Sequence, residues 1–189
     1  MQGAMTAFPE LFRFTFPEHV MTLRHATPML DRHFANYSLI FGLRPEIETR
    51  WRADVRYLKD HVIPTAKDYA DCTYWPPDVP MMQGTPPAEA TRYLKAVTDF
   101  ARRHAAVLWQ GRFVDTEGFS LTGEGLIAKA YRTEKQLGVL VWNPTGTART
   151  ARVDVPGARL AATSEPERTA VDPAAQIGAR SVRLYVWDR

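Results

Sequence analysis

The stretch 108–147, LWQGRFVDTEGFSLTGEGLIAKAYRTEKQLGVLVWNPTGT, divides the chain into two kinds of pattern. Before it, apolar residues recur at helical spacing. From Arg112 onward they recur at period two. LIAKAYR (126–132) and LGVLVWN (137–143) have strand composition, and the four polar residues between them, Thr133 to Gln136, suit a hairpin loop. The pattern predicts an antiparallel pair. Asn143-Pro144-Thr145-Gly146 is a strong turn signal. The seam between the two patterns falls near Gln110-Gly111, which predicts one unit over residues 1–110 and a second over 111–189.

Downstream, RFVDT, LIAKAYR, LGVLVWN, ARVDV, ARLAAT and SVRLYVWD make six strand candidates. They are separated by EGFSLTGEG, TEKQ, NPTGTA, PG and a long SEPERTAVDPAAQIGA. Short strands at regular spacing with Gly/Pro turns argue for a small antiparallel β-sandwich.

Upstream, FRFTF (12–16) alternates aromatic and polar residues, which predicts a strand ended by Pro17. VMTLRH continues as strand or loop. Thr27-Pro28 reads as a helix start, with Leu30, Phe34, Tyr37 and Phe41 at helical spacing and Gly42 as the C-terminal glycine. LRPEIET fits a short strand or an extended entry to the next helix. Trp51, Val55, Leu58 and Val62 form the stripe of a second helix, about 50–63, that Pro64 ends. TYWPPDVPMMQGTPP is a long proline-rich loop, a kind that is usually functional or flexible. Thr85-Pro86 opens a third helix, roughly 87–108, striped by Tyr93, Val97, Phe100, His104 and Val107.

Composition sets bounds. The 189 residues suffice for one large domain or two small ones, and an apolar content of 45% sustains a core. The net charge is only +3, and the 24 basic residues are scattered without interleaved aromatics, so no nucleic-acid partner is expected. Cys72 is the single cysteine, which removes any intrachain disulfide and any Cys-rich zinc site. Its surroundings, DYADCTYW, offer neither base nor cation to activate it, so it reads as a buried or half-buried thiol. The five histidines, His19, His25, His33, His61 and His104, show no metal-ligand spacing. No phosphate-binding glycine loop and no Gly-x-Ser-x-Gly elbow occurs. No cofactor is expected. No apolar run reaches the ~20 residues of a membrane span, and MQGAMTAFPELF is no signal peptide, so the sequence calls for no membrane and leaves localisation unassigned.

The order strand, helix, strand, helix, long loop, helix, then a small sheet domain resembles the C-terminal end of a glycoside-hydrolase-like (β/α)8-barrel protein with its trailing β-sandwich. The likeness is carried by PELFRFTFPE (9–18), NYSLIFGLRPEIE (36–48), LWQGRFVDT (108–116), AKAYRTEKQLGVLVWNPT (128–145) and RLYVWD (183–188). It implies an α/β plus all-β chain: a partial (β/α) barrel segment followed by the sandwich. A full barrel takes about 250 residues, so residues 1–110 would hold only its last two or three units.

The resemblance implies a carbohydrate ligand and two catalytic carboxyl groups. These stand ~5–5.5 Å apart in retaining enzymes and ~6.5–9.5 Å apart in inverting ones. Glu18, at the end of the expected FRFTF strand, and Glu46 with Glu48, on one face of an extended LRPEIET, are the catalytic candidates. Equally, Glu18 reads as a surface loop residue, and Glu46 and Glu48 as negative charge before the next helix. Arg24 and His25 are candidate substrate contacts, or solvated loop residues. Tyr74 and Trp75 offer a stacking platform for a sugar ring, or plug their loop onto the helices. Trp109 and Trp142, beside the seam, read as interface core. Three functions compete: part of a carbohydrate-active hydrolase that is inactive alone, a non-catalytic carbohydrate-binding or accessory module, and an oligomerisation piece. The first expects an upstream barrel half, and an open sheet expects self-association.

Overall fold

A computed structural model describes residues 7–26, 31–49, 51–63, 68 and 86–189. The expected Thr27-Pro28 helix start, Cys72 and nearly all of the proline-rich loop lie outside the described residues.

The heart of the fold is the run 137–143. Strand β6 (Gln136–Asn143) pairs antiparallel with β5 (Ile127–Arg132), with Leu137 opposite Arg132 and Trp142 opposite Ile127. This is the hairpin expected around Thr133 to Gln136. Thr133 organises the turn: its Oγ1 accepts from the Gln136 amide at 2.9 Å. On its other side β6 pairs antiparallel with β9 (Ser181–Asp188) along its whole length. With β3 (Arg112–Asp115) and β8 (Arg159–Ser164) the sheet has five strands in the order β3-β5-β6-β9-β8.

Both faces of this sheet are covered, which is why LGVLVWN is apolar throughout rather than alternating. Leu140, Trp142, Val182, Leu184 and Val186 join one cluster with Tyr93, Val97, Phe100 and Val107 from the helices. Leu137, Val139, Val141 and Tyr185 join another on the opposite face. There Leu121 and Val153 pack from a second, two-stranded antiparallel sheet of β4 (Ser120–Thr122) and β7 (Arg152–Asp154). The strand β4 lies inside EGFSLTGEG, a segment expected to be turn. Three residues are too few to show a period, and cross-strand pairing with β7 defines the strand.

Among the described residues the helices are α1 (Ala7–Thr15), α2 (Arg32–Ile40), α3 (Arg52–Asp60), α4 (Pro87–Arg103) and α5 (Ala105–Leu108). The start of α2 differs from expectation: Asp31 is the N-cap, its carboxylate accepting from the Phe34 amide at 2.7 Å. Gly42 terminates the helix region with φ +63°, and an added Cβ there would meet the Tyr131 hydroxyl at 2.8 Å. The helix expected over 87–108 is two: α4 ends at Arg103 and α5 follows His104. Gly138 lets α5 lie on the sheet, since a Cβ at that position would come within 2.3 Å of Val107 Cγ1.

The largest correction concerns FRFTF, which is helix rather than strand. Pro9 and Glu10 occupy the first turn of α1 and Arg13 the last, an arrangement that suits a helix macrodipole. The alternation of phenylalanines is incidental: Phe12 and Phe16, one turn apart, have ring centroids 5.1 Å apart. Arg13, expected on the polar face, is 4% exposed and donates to the Pro17 carbonyl at 3.2 Å and to the His19 carbonyl at 2.6 Å. Lys129 Nζ ties α1 to the sheet, lying 2.5 Å from Glu10 Oε1 and 2.5 Å from Asp115 Oδ1.

VMTLRH and LRPEIET do form strands. β1 (Thr22–Ala26) and β2 (Arg44–Glu48) pair in parallel, joined through α2, with Arg24 opposite Glu46 and Ala26 opposite Glu48. Leu23 and Ile47 pack on Phe34, Tyr57 and Ala90 from the helices.

Candidate functional site

The alternation of a strand places Leu23 and Ile47 toward the helices, so Arg24 and Glu46 occupy the other face of the parallel pair. Register brings them together although they are 22 residues apart. Arg24 Nε and Nη2 both donate to Glu46 Oε1, at 3.0 and 2.7 Å. Their side chains are 59% and 42% exposed, so this ion pair contributes only about 0–1 kcal/mol and opens readily. Glu48 ends the same strand, two residues beyond Glu46. His25 follows Arg24 in β1. The side chains of His25 and Glu48 lie outside the described residues, as do Tyr74 and Trp75 entirely.

Glu18 is placed elsewhere. It follows helix α1, not a strand, so the geometric reason for regarding it as a carboxylate at a strand's C-terminal end is removed. Its carboxylate lies 3.1 Å from the Nδ1 of its chain neighbour His19, and both side chains are more than half exposed. The structure therefore joins Arg24 to Glu46 and leaves Glu18 with His19.

Of the two tryptophans read as interface core, Trp142 is 2% exposed, with the His33 ring edge-on at 4.9 Å, and belongs to the core cluster shared by helices and sheet. Trp109 differs. It is 37% exposed, and the Arg44 guanidinium sits 5.3 Å over its ring. It closes the short α5 at the surface, where the chain turns into β3.

The sequence reading did not single out the buried polar groups. Arg183 is fully buried in the middle of β9, and its donors reach Glu165 Oε1 and the carbonyls of Asp172, Ala175 and Gln176. Asn143, also fully buried, donates to the carbonyls of Thr147, Ile177 and Gly178 and accepts from the Thr145 amide. A charged residue inside an otherwise apolar β-run, as in SVRLYVWD and LIAKAYR, is the signal that would have found Arg183 and Lys129. The core tyrosines are poor proton donors near neutrality: burial first, then the nearby Asp31, pushes Tyr57 up to about 12. Burial does the same to Tyr93, up to about 12, although Arg32 and the hydrogen bond to Asn36 act against it. Among the described residues no group of three or more His, Cys, Asp or Glu could hold a metal ion, and no helix is long and apolar enough to cross a membrane.

No family model matches the chain, and no curated protein matches it. Solved structures do. An exo-carrageenase of glycoside hydrolase family 42 from Bacteroides ovatus shares 11% identity at TM-score 0.33, over 59% of this chain and 16% of that one. A family 30 subfamily 8 xylanase from Clostridium acetobutylicum shares 13% at TM-score 0.33, over 66% of this chain and 38% of that one. A family 30 endoxylanase from Clostridium papyrosolvens shares 11% at TM-score 0.37, over 89% of this chain and 41% of that one. This chain thus spans less than half the length of each of these three. The class the fold defines is a mixed α/β one, helices with a five-stranded antiparallel sheet, and these three solved structures are glycoside hydrolases.

Proposed function

We propose that this chain is the C-terminal portion of a carbohydrate-active, glycoside-hydrolase-like protein and is inactive on its own. In this reading residues 1–110 supply the last units of a (β/α) barrel and residues 111–189 a trailing β-sandwich. The observation that carries it is the β1–α2–β2 unit: two parallel strands with an apolar face on the helices and a charged face bearing Arg24 and Glu46. Parallel sheets are otherwise found with both faces covered and with more strands than two. Such a unit asks for neighbouring strands, and these would bring the rest of a sugar site to the Glu46 face.

Alone, the β1–β2 pair offers the Glu46 carboxylate, held by Arg24, whereas glycoside hydrolysis needs two carboxyl groups on either side of one bond. A second reading, an accessory or self-associating module, is favoured by the exposed Leu11, Phe14, Phe16 and Val20 near α1.

A panel of aryl glycosides assayed with the isolated chain, beside light scattering, tests both. The expected result is no turnover, with a mass above that of the monomer. Robust turnover from a clean monomer that vanishes on Glu18→Gln or Glu48→Gln would overturn the proposal.

A further inference from the structure

We propose that the recess enclosed by α2, the start of β2, α4 and α5 binds a small carboxylate with an apolar body, of the arylalkanoate kind. This goes beyond the carbohydrate reading and does not depend on it, since the recess opens at Arg44, the first residue of β2, whereas Glu48 is the last. The recess holds about 380 Å³, within the usual range of ligand sites, ~300–1,000 Å³.

Its floor is apolar. Leu43 and Val97, both nearly fully buried, line it and belong to the main core cluster. One wall is Trp109, a large ring left 37% exposed beside the cavity. A floor and wall of this kind favour an aromatic or aliphatic body over a polyhydroxylated one, because few polar groups are present to replace the water a sugar would lose.

The rim is cationic. Arg44 and Arg102 both line the recess. The Arg44 guanidinium rests over the Trp109 ring rather than on a carboxylate. Arg102 is 67% exposed, and its acidic neighbour Asp99, 3.7 Å away, is held more closely by the Lys95 ammonium. Both guanidinium groups therefore keep donors for an anionic head. They also decide the sign of the site. The C-terminal end of α2 and the last two turns of α4 meet here, and helix C-termini carry partial negative charge. Without the two arginines the recess would repel a carboxylate.

A further polar group in the recess lacks a partner. Ser38 is 1% exposed, lines the cavity, and its hydroxyl makes no hydrogen bond within the protein. Buried hydroxyls are ordinarily satisfied, so one left unpaired in the lining residue of a cavity calls for an explanation, and in the proposal a bound carboxylate would become its acceptor after a rotation of the Ser38 side chain.

The test is an NMR titration of the whole chain with 4-phenylbutyrate, read at the Trp109 indole signal, which a Trp109→Phe variant assigns. The expected result is a saturable shift, at least about tenfold weaker with the neutral 4-phenylbutyramide, since charge-assisted hydrogen bonds are lost. Arg44→Gln/Arg102→Gln, at exposed positions, should weaken the acid by a similar factor and so abolish its preference over the amide. Ser38→Val, which narrows the recess and removes the unpaired hydroxyl, should weaken the shift while leaving the melting temperature no lower. Equal binding of acid and amide to the unaltered chain overturns the proposal without recourse to any variant. So does retained affinity in the double variant, or no saturable shift at Trp109 up to about 20 mM, where a millimolar site would be filled.

Discussion

Replacing Arg183 by Met should destabilise the protein by about 3 kcal/mol, the lower end of the 3–5 kcal/mol that breaking a buried ion pair costs. Arg183 is fully buried and Glu165 only 9% exposed, with Nε and Nη2 donating to Glu165 Oε1 at 2.9 and 2.7 Å. The Met side chain fills most of the space but leaves the Glu165 carboxylate behind. Arg168, which donates to the other oxygen, Oε2, keeps part of that charge neutralised, and this sets the lower end of the range. The carbonyls of Ala175 and Gln176, bonded by Arg183 at 2.6 and 3.0 Å, also lose their donor. These lie in a loop near the surface, so water reaches them at a smaller penalty. Urea denaturation gives the magnitude, and a ΔΔG near 3 kcal/mol corresponds to a melting temperature lower by about 6–12 °C for a chain of this size. Limited proteolysis should cut within 165–180 earlier in the variant, because Arg183 is what gathers that loop onto β9. Removing both partners, Arg183→Met with Glu165→Met, should recover much of the loss, since no buried charge is then left alone. A single variant within about 1 kcal/mol of the unaltered protein, or a double variant worse than the single, would refute the reasoning.

Two further predictions concern other polar groups. His104, whose Nε2 lies 3.0 Å from the Ser164 hydroxyl, has its pKa lowered from 6.5, by burial first and by the nearby Arg103 second. Above pH 6.5 both folded and unfolded chains hold it neutral. Below that, the unfolded chain takes the proton first, so stability falls as pH drops through 6.5 and levels off beneath the folded pKa, with a slope of at most about 1.4 kcal/mol per pH unit. The difference in stability between the unaltered protein and His104→Gln, followed by denaturation from pH 8 to 5, should shrink in that window. A difference that stays constant counts against it. At Asn143, Asp should be worse than Ala: the three carbonyls that receive Asn143 Nδ2 would face an acceptor-only carboxylate instead of merely losing a donor. Thermal melts rank the two variants, and Ala falling below Asp contradicts the reading.

Much of the antiparallel sheet was legible in the chain itself. The runs 126–132, 137–143 and 181–188 carry β-branched and aromatic residues at strand density, and the polar TEKQ leaves the first two little choice but to fold back on each other. The helical stripe of Tyr93, Val97 and Phe100 was equally plain, because a helix buries one face whatever it packs against; the stripe expected in α3, Trp51, Val55, Leu58 and Val62, is not the face it buries, since Tyr57 is fully buried while Val55 and Val62 are exposed. Glu46 was legible as the residue of an extended segment. Its partner Arg24 was not, because cross-strand register over 22 residues is set by how α2 lies on the pair.

What only tertiary structure decided has one physical cause: groups whose environment comes from distant parts of the chain. FRFTF alternates like a strand, yet α1 is held by the Glu10–Lys129 ion pair and by Arg13 folding back on the chain ends that follow it, contacts no local period encodes. The three residues of β4 are a strand only because β7 lies beside them. Arg183 and Asn143 look like ordinary polar residues in a strand and at its end, and become buried keystones only when the 165–180 segment closes over them. Trp109 looked like core and is surface, because its short helix ends where the chain leaves the helices for the sheet. Local sequence sets which backbone conformations are cheap. Which of them are kept, and which charges go inside, is decided by the partners that the whole fold brings within reach.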